Sequence, residues 1–154
     1  MIFFECCADE VLVRNITNIS KRELVHAGNK AAVCKKLQKT GNSKGLVDED
    51  PGSTHPRYIQ RLQPGEDLSR HDLKILHDNP NDNAVIVLCP RLEEWILKAA
   101  GEAGIDVREY GLPDRENKLH AVINTDLRKF ERVLGELKER NSERLERLAG
   151  LLRG

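Results

Sequence analysis

AVIVLCP, residues 84–90, is a continuous apolar run closed by a proline, and it is the clearest strand in the chain. Strict alternation would mark a strand with one face in water. An unbroken β-branched run marks one covered on both faces, as in a parallel sheet between helical layers. Pro90 ends the run, and residues 91–103 (RLEEWILKAAGEA) then place Leu92, Trp95, Ile96 and Ala99 at helical spacing.

The same strand-then-helix step recurs on the N-terminal side. IFFEC (2–6) reads as a strand, followed by Ala8, Val11, Leu12, Ile16 and Ile19 near one helix face. ELVHA (23–27) reads as a second strand, Gly28-Asn29 as a turn, and 30–39 as a basic helix with Ala32, Val33 and Leu37 inward. KGLVDED (44–50) forms a third strand that runs into Pro51-Gly52. Residues 51–71 hold three of the six prolines and Arg57, Arg61 and Arg70 with little periodicity, so they read as a long surface loop with a short helical or extended piece at 58–62. LKILH (73–77) is a further strand, and IDV (105–107) a last edge strand. After Pro113 the pattern is helical: Leu127, Phe130, Val133, Leu134 and Leu137 make one stripe, and Asn141-Ser142 caps a final helix carrying Leu145, Leu148, Leu151 and Leu152. Strands joined by crossover helices imply an α/β, three-layer domain with a mainly parallel sheet over residues 1–125. A C-terminal helical extension, 126–154, packs on the same domain.

The 154 residues carry 25 Lys plus Arg and 25 Asp plus Glu, so the chain is formally neutral although 32% of it is charged. Neutrality excludes a general basic coat that holds nucleic acid by phosphate neutralisation alone. No apolar run reaches membrane-spanning length, and no basic region precedes an apolar N-terminal core, so neither a membrane segment nor a signal peptide is expected. Cys6, Cys7, Cys34 and Cys89 lack zinc-ribbon or disulfide-framework spacing and read as free thiols in a cytoplasmic protein.

Open parallel sheets bind ligands beyond the carboxyl ends of their strands, and here those ends are acidic. The first strand ends at Glu5, the third at Asp48-Glu49-Asp50, and the helix after residues 84–90 holds Glu93 and Glu94 in its first turn. In an extended segment Asp48 and Asp50 point the same way. Clustered carboxylates resist joint ionisation unless a cation offsets them, and hard oxygen ligands suit Mg2+ or Mn2+. A plain Asp turn before Pro51-Gly52 is the competing account of the pair.

These residues resemble a family. ECCAD (5–9) is similar to the EGxxD segment that opens a TOPRIM domain, the module of topoisomerases, bacterial primases, ribosomal-RNA maturases and OLD-type nucleases. HAGNK (26–30) resembles its second strand and turn, GLVDEDPG (45–52) its strand ending in DxD, and LCPRLEEWIL (88–97) the Glu-bearing helix start of TOPRIM-like phage-defence proteins. The resemblance spans roughly residues 1–110. It implies a metal-dependent nuclease in which Glu5 is acid/base or ligand, Asp48 and Asp50 bind Mg2+ or Mn2+, and Asp9 and Glu93 assist. Its implied substrate is DNA or RNA, its implied partner a separately encoded ATPase in phage defence, and the alternative it leaves is a non-catalytic binding or regulatory subunit. Cys6 stands where the family has glycine, which predicts reduced activity if a Cβ blocks a phosphate backbone.

Other acid-bearing folds fit less well. A phosphoacceptor receiver domain wants an acidic pair at the first strand, and a haloacid-dehalogenase-type phosphatase wants its DxD after the first strand. Lys30 and Arg57 are candidates for a phosphate-binding rim, alongside Lys35, Lys36, Lys39, Arg61 and Arg70. The five histidines form no site pattern, and Tyr58 and Tyr110 read as structural rather than nucleophilic. A Leu145, Leu148, Leu152 stripe, if exposed, would make a homodimer or dock the ATPase.

Overall fold

The computed structural model describes every residue, 1–154. Its six strands are β1 (Ile2–Phe4), β2 (Leu24–His26), β3 (Lys44–Asp48), β4 (Gln63–Pro64), β5 (Leu73–Asp78) and β6 (Asn83–Leu88). The helices are α1 (Cys7–Ile16), α2 (Lys30–Gln38), α3 (Arg57–Gln60), α4 (Leu92–Glu102), α5 (Glu116–Ile123), α6 (Leu127–Glu139) and α7 (Glu143–Arg153). The strands form one sheet in the order β2-β1-β3-β6-β5-β4. β2, β1, β3 and β6 are parallel, while β5 and β4 run antiparallel at one side. β6 is central and buried throughout, as its unbroken apolar run requires.

Alternation along the strands divides the core. Ile2, Phe4, Leu46, Ile86 and Leu88 face a large cluster built with α1, α4, α5, α6 and α7. Phe3, Val47, Val85 and Val87 face a smaller one closed by Val33, Cys34 and Leu37 of α2 and by Tyr58 and Ile59 of α3. Gly45 belongs to this second layer for a steric reason: a Cβ there would lie 2.9 Å from Val33 and 3.0 Å from Leu37, so its absence lets α2 sit close on the sheet. Residues 126–154 share the larger core, where Phe130, Val133, Leu134 and Leu137 are fully buried against the domain. Leu145, Leu148 and Leu152 are buried there too, so the stripe that would have served a homodimer or an ATPase is internal.

Two local expectations are corrected, and two are filled in. Residues 105–107 add no edge strand. Ile105 and Val107 are buried apolar residues on a short chain segment that enters a 3-10 turn, Val107–Tyr110, closed by Gly111 at φ 78°. The sheet edges are β2 and β4. The long loop 51–71 carries the short helical piece expected there, α3, and also β4, because Tyr58, Ile59 and Leu62 fall on one short apolar face that covers β6. LKILH is a strand, β5, and it pairs antiparallel with β6, since it reaches β6 through the tight turn at Asn79–Asn81 with no crossover helix between them. The first helix stops at Ile16 rather than Ile19, where Thr17 turns extended and its hydroxyl bonds the Val13 carbonyl. No helix is long and apolar enough to cross a membrane.

Candidate metal centre

At the carboxyl ends of β1 and β3, Glu5, Asp48 and Asp50 each offer an oxygen, and the three oxygens lie within 4.8 Å of one another. Glu5 follows the last residue of β1, and its Oε2 accepts the Asp48 N–H at 2.8 Å. Asp48 ends β3, and its Oδ1 accepts the Leu92 N–H at 3.0 Å. That bond caps α4 from another strand, since Arg91 at the N-cap position provides no side-chain cap. The helix N-terminus in turn favours the negative charge of Asp48.

Asp50 joins the group by a turn, not by strand alternation. Its backbone is left-handed at φ 50°, its N–H donates to the Pro90 carbonyl at 3.0 Å, and its own carbonyl accepts the Ser53 N–H and hydroxyl. An Asp tolerates this conformation better than a bulky or β-branched residue would. Turn chemistry and the acid cluster are thus the same feature. The extended-strand reading of Asp48 and Asp50 is corrected in its geometry, while the convergence it anticipated is present.

Two cations reach the cluster, and both go to Asp50. Lys30 Nζ lies 3.3 Å from Asp50 Oδ2 and donates to the Glu49 carbonyl; Arg91 Nε lies 3.2 Å from Asp50 Oδ1. No ion pair reaches Glu5 or Asp48. Burial pushes the Asp48 carboxyl up to about 8, and the charges of Asp9, Glu5, Glu93 and Asp50 add to the rise. Burial also raises Glu5, against the opposing pull of the Asp48 N–H and of Lys30.

Asp9 and Glu93 stand behind the trio rather than in it. Asp9 Oδ2 accepts the N–H groups of Glu5 at 3.2 Å and Cys6 at 3.1 Å, fixing the turn from β1 into α1. Burial raises its pKa to about 7. Glu93 is buried in the first turn of α4 and bonds His120 Nδ1 at 2.9 Å. Arg57 is exposed at the start of α3 and makes no ion pair with the acids. Cys6 adopts φ −143° and ψ 171°, ordinary extended backbone, so this position does not demand glycine.

Sequence reasoning missed Arg91 and His120 as neighbours of the acids. Arg91 had a usable signal, since it immediately precedes the helix that follows the strongest strand. His120 had none, because its approach to Glu93 depends on how α5 packs against α4. His26 also gained a place: its ring stacks on Phe4 at 5.8 Å between centroids and its Nε2 bonds the Glu5 carbonyl at 2.9 Å. Tyr58 is structural, its buried hydroxyl donating to Asp78 at 2.9 Å.

No protein family, characterised protein or solved structure matches the chain. The site therefore stands on its geometry and its donor set. All three donors are hard carboxylate oxygens, as Mg2+ and Mn2+ prefer. Around one Mg2+ with ligands at about 2.1 Å, neighbouring oxygens stand about 3.0 Å apart and opposite ones about 4.2 Å, so the trio shares one ion after closing by up to about 2 Å.

Proposed function

We propose that this chain is a Mg2+- or Mn2+-dependent phosphodiesterase acting on nucleic acid, with a TOPRIM-like arrangement of Glu5, Asp48 and Asp50 as its metal-binding residues. The observation that carries the reading is the convergence of these three carboxylates at the strand ends with only one of them ion-paired. A bound divalent cation would offset their repulsion, draw charge from a phosphoryl oxygen and activate water for in-line attack. Glu5 is the acid/base candidate, because its raised pKa brings proton transfer closer to neutral pH. Lys30 and Arg91 flank Asp50 and supply the positive charge that a non-bridging phosphate oxygen requires. Asp9 holds the backbone that carries Glu5, and Glu93 raises the local negative field.

A second reading, a non-catalytic binding subunit, draws on the structural engagements of the same groups. Glu5 and Asp48 each accept a backbone N–H, and Asp50 is bridged by Lys30 and Arg91. The discriminating experiment is cleavage of DNA and RNA substrates with Mg2+ or Mn2+, comparing the wild type with Asp48→Ala and Glu5→Gln. The catalytic reading expects metal-dependent cleavage that both variants lose. Equal cleavage by the variants, or Mn2+ binding with no cleavage by any form, would sink it.

A further inference from the structure

We propose that the outer face of α2 and α3 is a docking surface for a nucleic-acid duplex, held through its phosphates and led from there to the acid cluster; this rests on the phosphodiesterase reading. The two helices lie side by side over the smaller core. Residues 27–41 contain four lysines and no acid, and residues 51–65 contain two arginines and no acid. Because the chain is neutral overall, these six cations are matched by an excess of six acids elsewhere. The layer is therefore a one-signed face on a neutral protein.

The absence of any acid separates this face from an ordinary mixed-charge one. Lys30 makes the only ion pair of either helix, to Asp50 at the site. Lys35, Lys36, Lys39, Arg57 and Arg61 are exposed and unpaired, with Arg61 resting over the Tyr58 ring at 5.6 Å. Lys35 and Lys36 in the last turn of α2 and Lys39 at its C-cap gather like charge at one end of the helix. On the opposite face α6 and α7 interleave Glu131, Glu136, Glu139, Glu143 and Glu146 with their cations, so Arg140 and Arg147 are ion-paired and the unpaired Arg128, Lys138 and Arg153 belong to a mixed-charge surface.

The chemistry of the face selects the polyanion. An interfacial helix would present exposed apolar side chains beside its lysines, yet the only large hydrophobic exposed in the chain is Met1. A single-strand groove uses exposed aromatics as stacking platforms, and the sole aromatic in these segments, Tyr58, is buried. Cations alone suit a duplex, whose bases are turned inward and whose phosphates are presented in rows. The way to the acids is open. The connecting segments AGN (27–29) and PGST (51–54) carry no charge and only small side chains, and Gly28 and Gly52 have nothing within 4 Å of where a Cβ would be.

The test is binding of a short fluorescein-labelled DNA duplex by anisotropy in EDTA, with cleavage in Mn2+ read in parallel. The triple variant K36E/K39E/R57E should bind about tenfold or more weaker, with a salt slope reduced by about one per cation removed. R128E/K138E/R153E, on exposed unpaired positions of α6 and α7, should bind within about threefold of wild type. Glu5→Gln should bind like wild type without cleaving. Unchanged binding or cleavage by the α2–α3 variant overturns the surface while leaving the phosphodiesterase reading intact. Tighter binding of a single strand, or equal binding to anionic lipid vesicles, also overturns it. Patch-dependent duplex binding with no cleavage by wild type supports the surface and overturns the phosphodiesterase reading instead.

Discussion

Two clusters of carboxylates are treated in opposite ways. Around Arg144, whose side chain is 1% exposed, Glu102 and Asp72 accept its guanidinium N–H groups at 2.9–3.0 Å, the His71 carbonyl accepts another at 2.8 Å, and Trp95 lies 5.6 Å beneath it. Its hydrogen bonds hold Glu102 below the ordinary carboxylate range. At Asp72 burial pushes upward, but bonds from Lys98 and Arg144 outweigh it and the pKa falls. At the strand ends, Glu5, Asp9 and Asp48 are raised, mainly by burial. The chain thus places a buried guanidinium where α7 must be anchored to α4 and to the turn before β5, and leaves a charge deficit where a cation can enter. Strongly perturbed acids gathered at adjacent strand ends are a functional signature when structural pairing does not explain them.

The largest test of this contrast is Arg144→Met. It leaves Glu102 without a donor and takes one of two donors from Asp72, which keeps Lys98, and from the His71 carbonyl, which keeps the Trp95 indole N–H. The loss should be about 3 kcal/mol, the low end for breaking a buried ion-paired network, because both carboxylates reach solvent. Urea denaturation should show that loss, with Mn2+ binding at the acid cluster retained in the fraction that folds. A loss below about 1 kcal/mol would mean that apolar packing alone seats α7.

The pH dependence should differ in sign between the two clusters. Asp48 and Asp9 keep their protons in the folded chain up to about 8 and about 7, whereas unfolded Asp releases them near 3.8. Their contribution is fully present below about pH 4 and is lost as pH rises through 7 to 8. Asp72 and Glu102 are lowered, so their contribution is present above the ordinary carboxylate range and is lost on acidification. In EDTA, stability should therefore decline toward alkali through the site and toward acid through the Arg144 cluster. Asp48→Asn should flatten the alkaline limb and stabilise the metal-free protein at pH 8 by roughly 2–4 kcal/mol. An unchanged alkaline limb in that variant would refute the charge deficit.

Metal should reverse the same limb. Mg2+ or Mn2+ at a hundredfold excess over its dissociation constant would stabilise the wild type by about 2.7 kcal/mol. Thermal unfolding should show a shift in wild type that Asp48→Asn lacks. A shift of equal size in both proteins would place the ion elsewhere.

Much of the fold was legible because its strands carry their own punctuation. The apolar run before Pro90 defined β6, and the acids at Glu5 and Asp48 marked the strand ends that became the candidate site. What escaped was set by distance along the chain or by turns. Nothing local in LKILH distinguishes a parallel from an antiparallel neighbour, since that depends on the turn at Asn79–Asn81. Val107 is buried in a 3-10 turn as fully as it would be in a strand, so hydrophobicity could not separate the two. Asp50 reached the cluster through a left-handed turn, and Arg91 and His120 through helix packing. In sequence Arg144 is one of Arg128, Arg132, Arg140, Arg144 and Arg147 that flank the apolar stripes of α6 and α7, and only the tertiary approach of Asp72 and Glu102 identifies it as the buried one.

The smallest expected effect sharpens the contrast most closely, because it is measured on the same carboxylate. Lys98 Nζ and Arg144 Nη1 both bind Asp72 Oδ2, at 2.7 and 3.0 Å. Lys98 is the closer partner but its side chain is 61% exposed, while that of Arg144 is 1% exposed. If proximity set the strength, Lys98 would matter more. Solvent screens its charge and fixing its long side chain costs entropy, so Lys98→Ala should lose only about 0.2–1 kcal/mol, against several for Arg144→Met. Raising salt should erase the Lys98 effect and leave most of the Arg144 effect, since screening acts on exposed pairs far more than on buried ones. Similar losses for the two variants in urea denaturation would show that burial does not separate the paired cluster from an ordinary surface bridge.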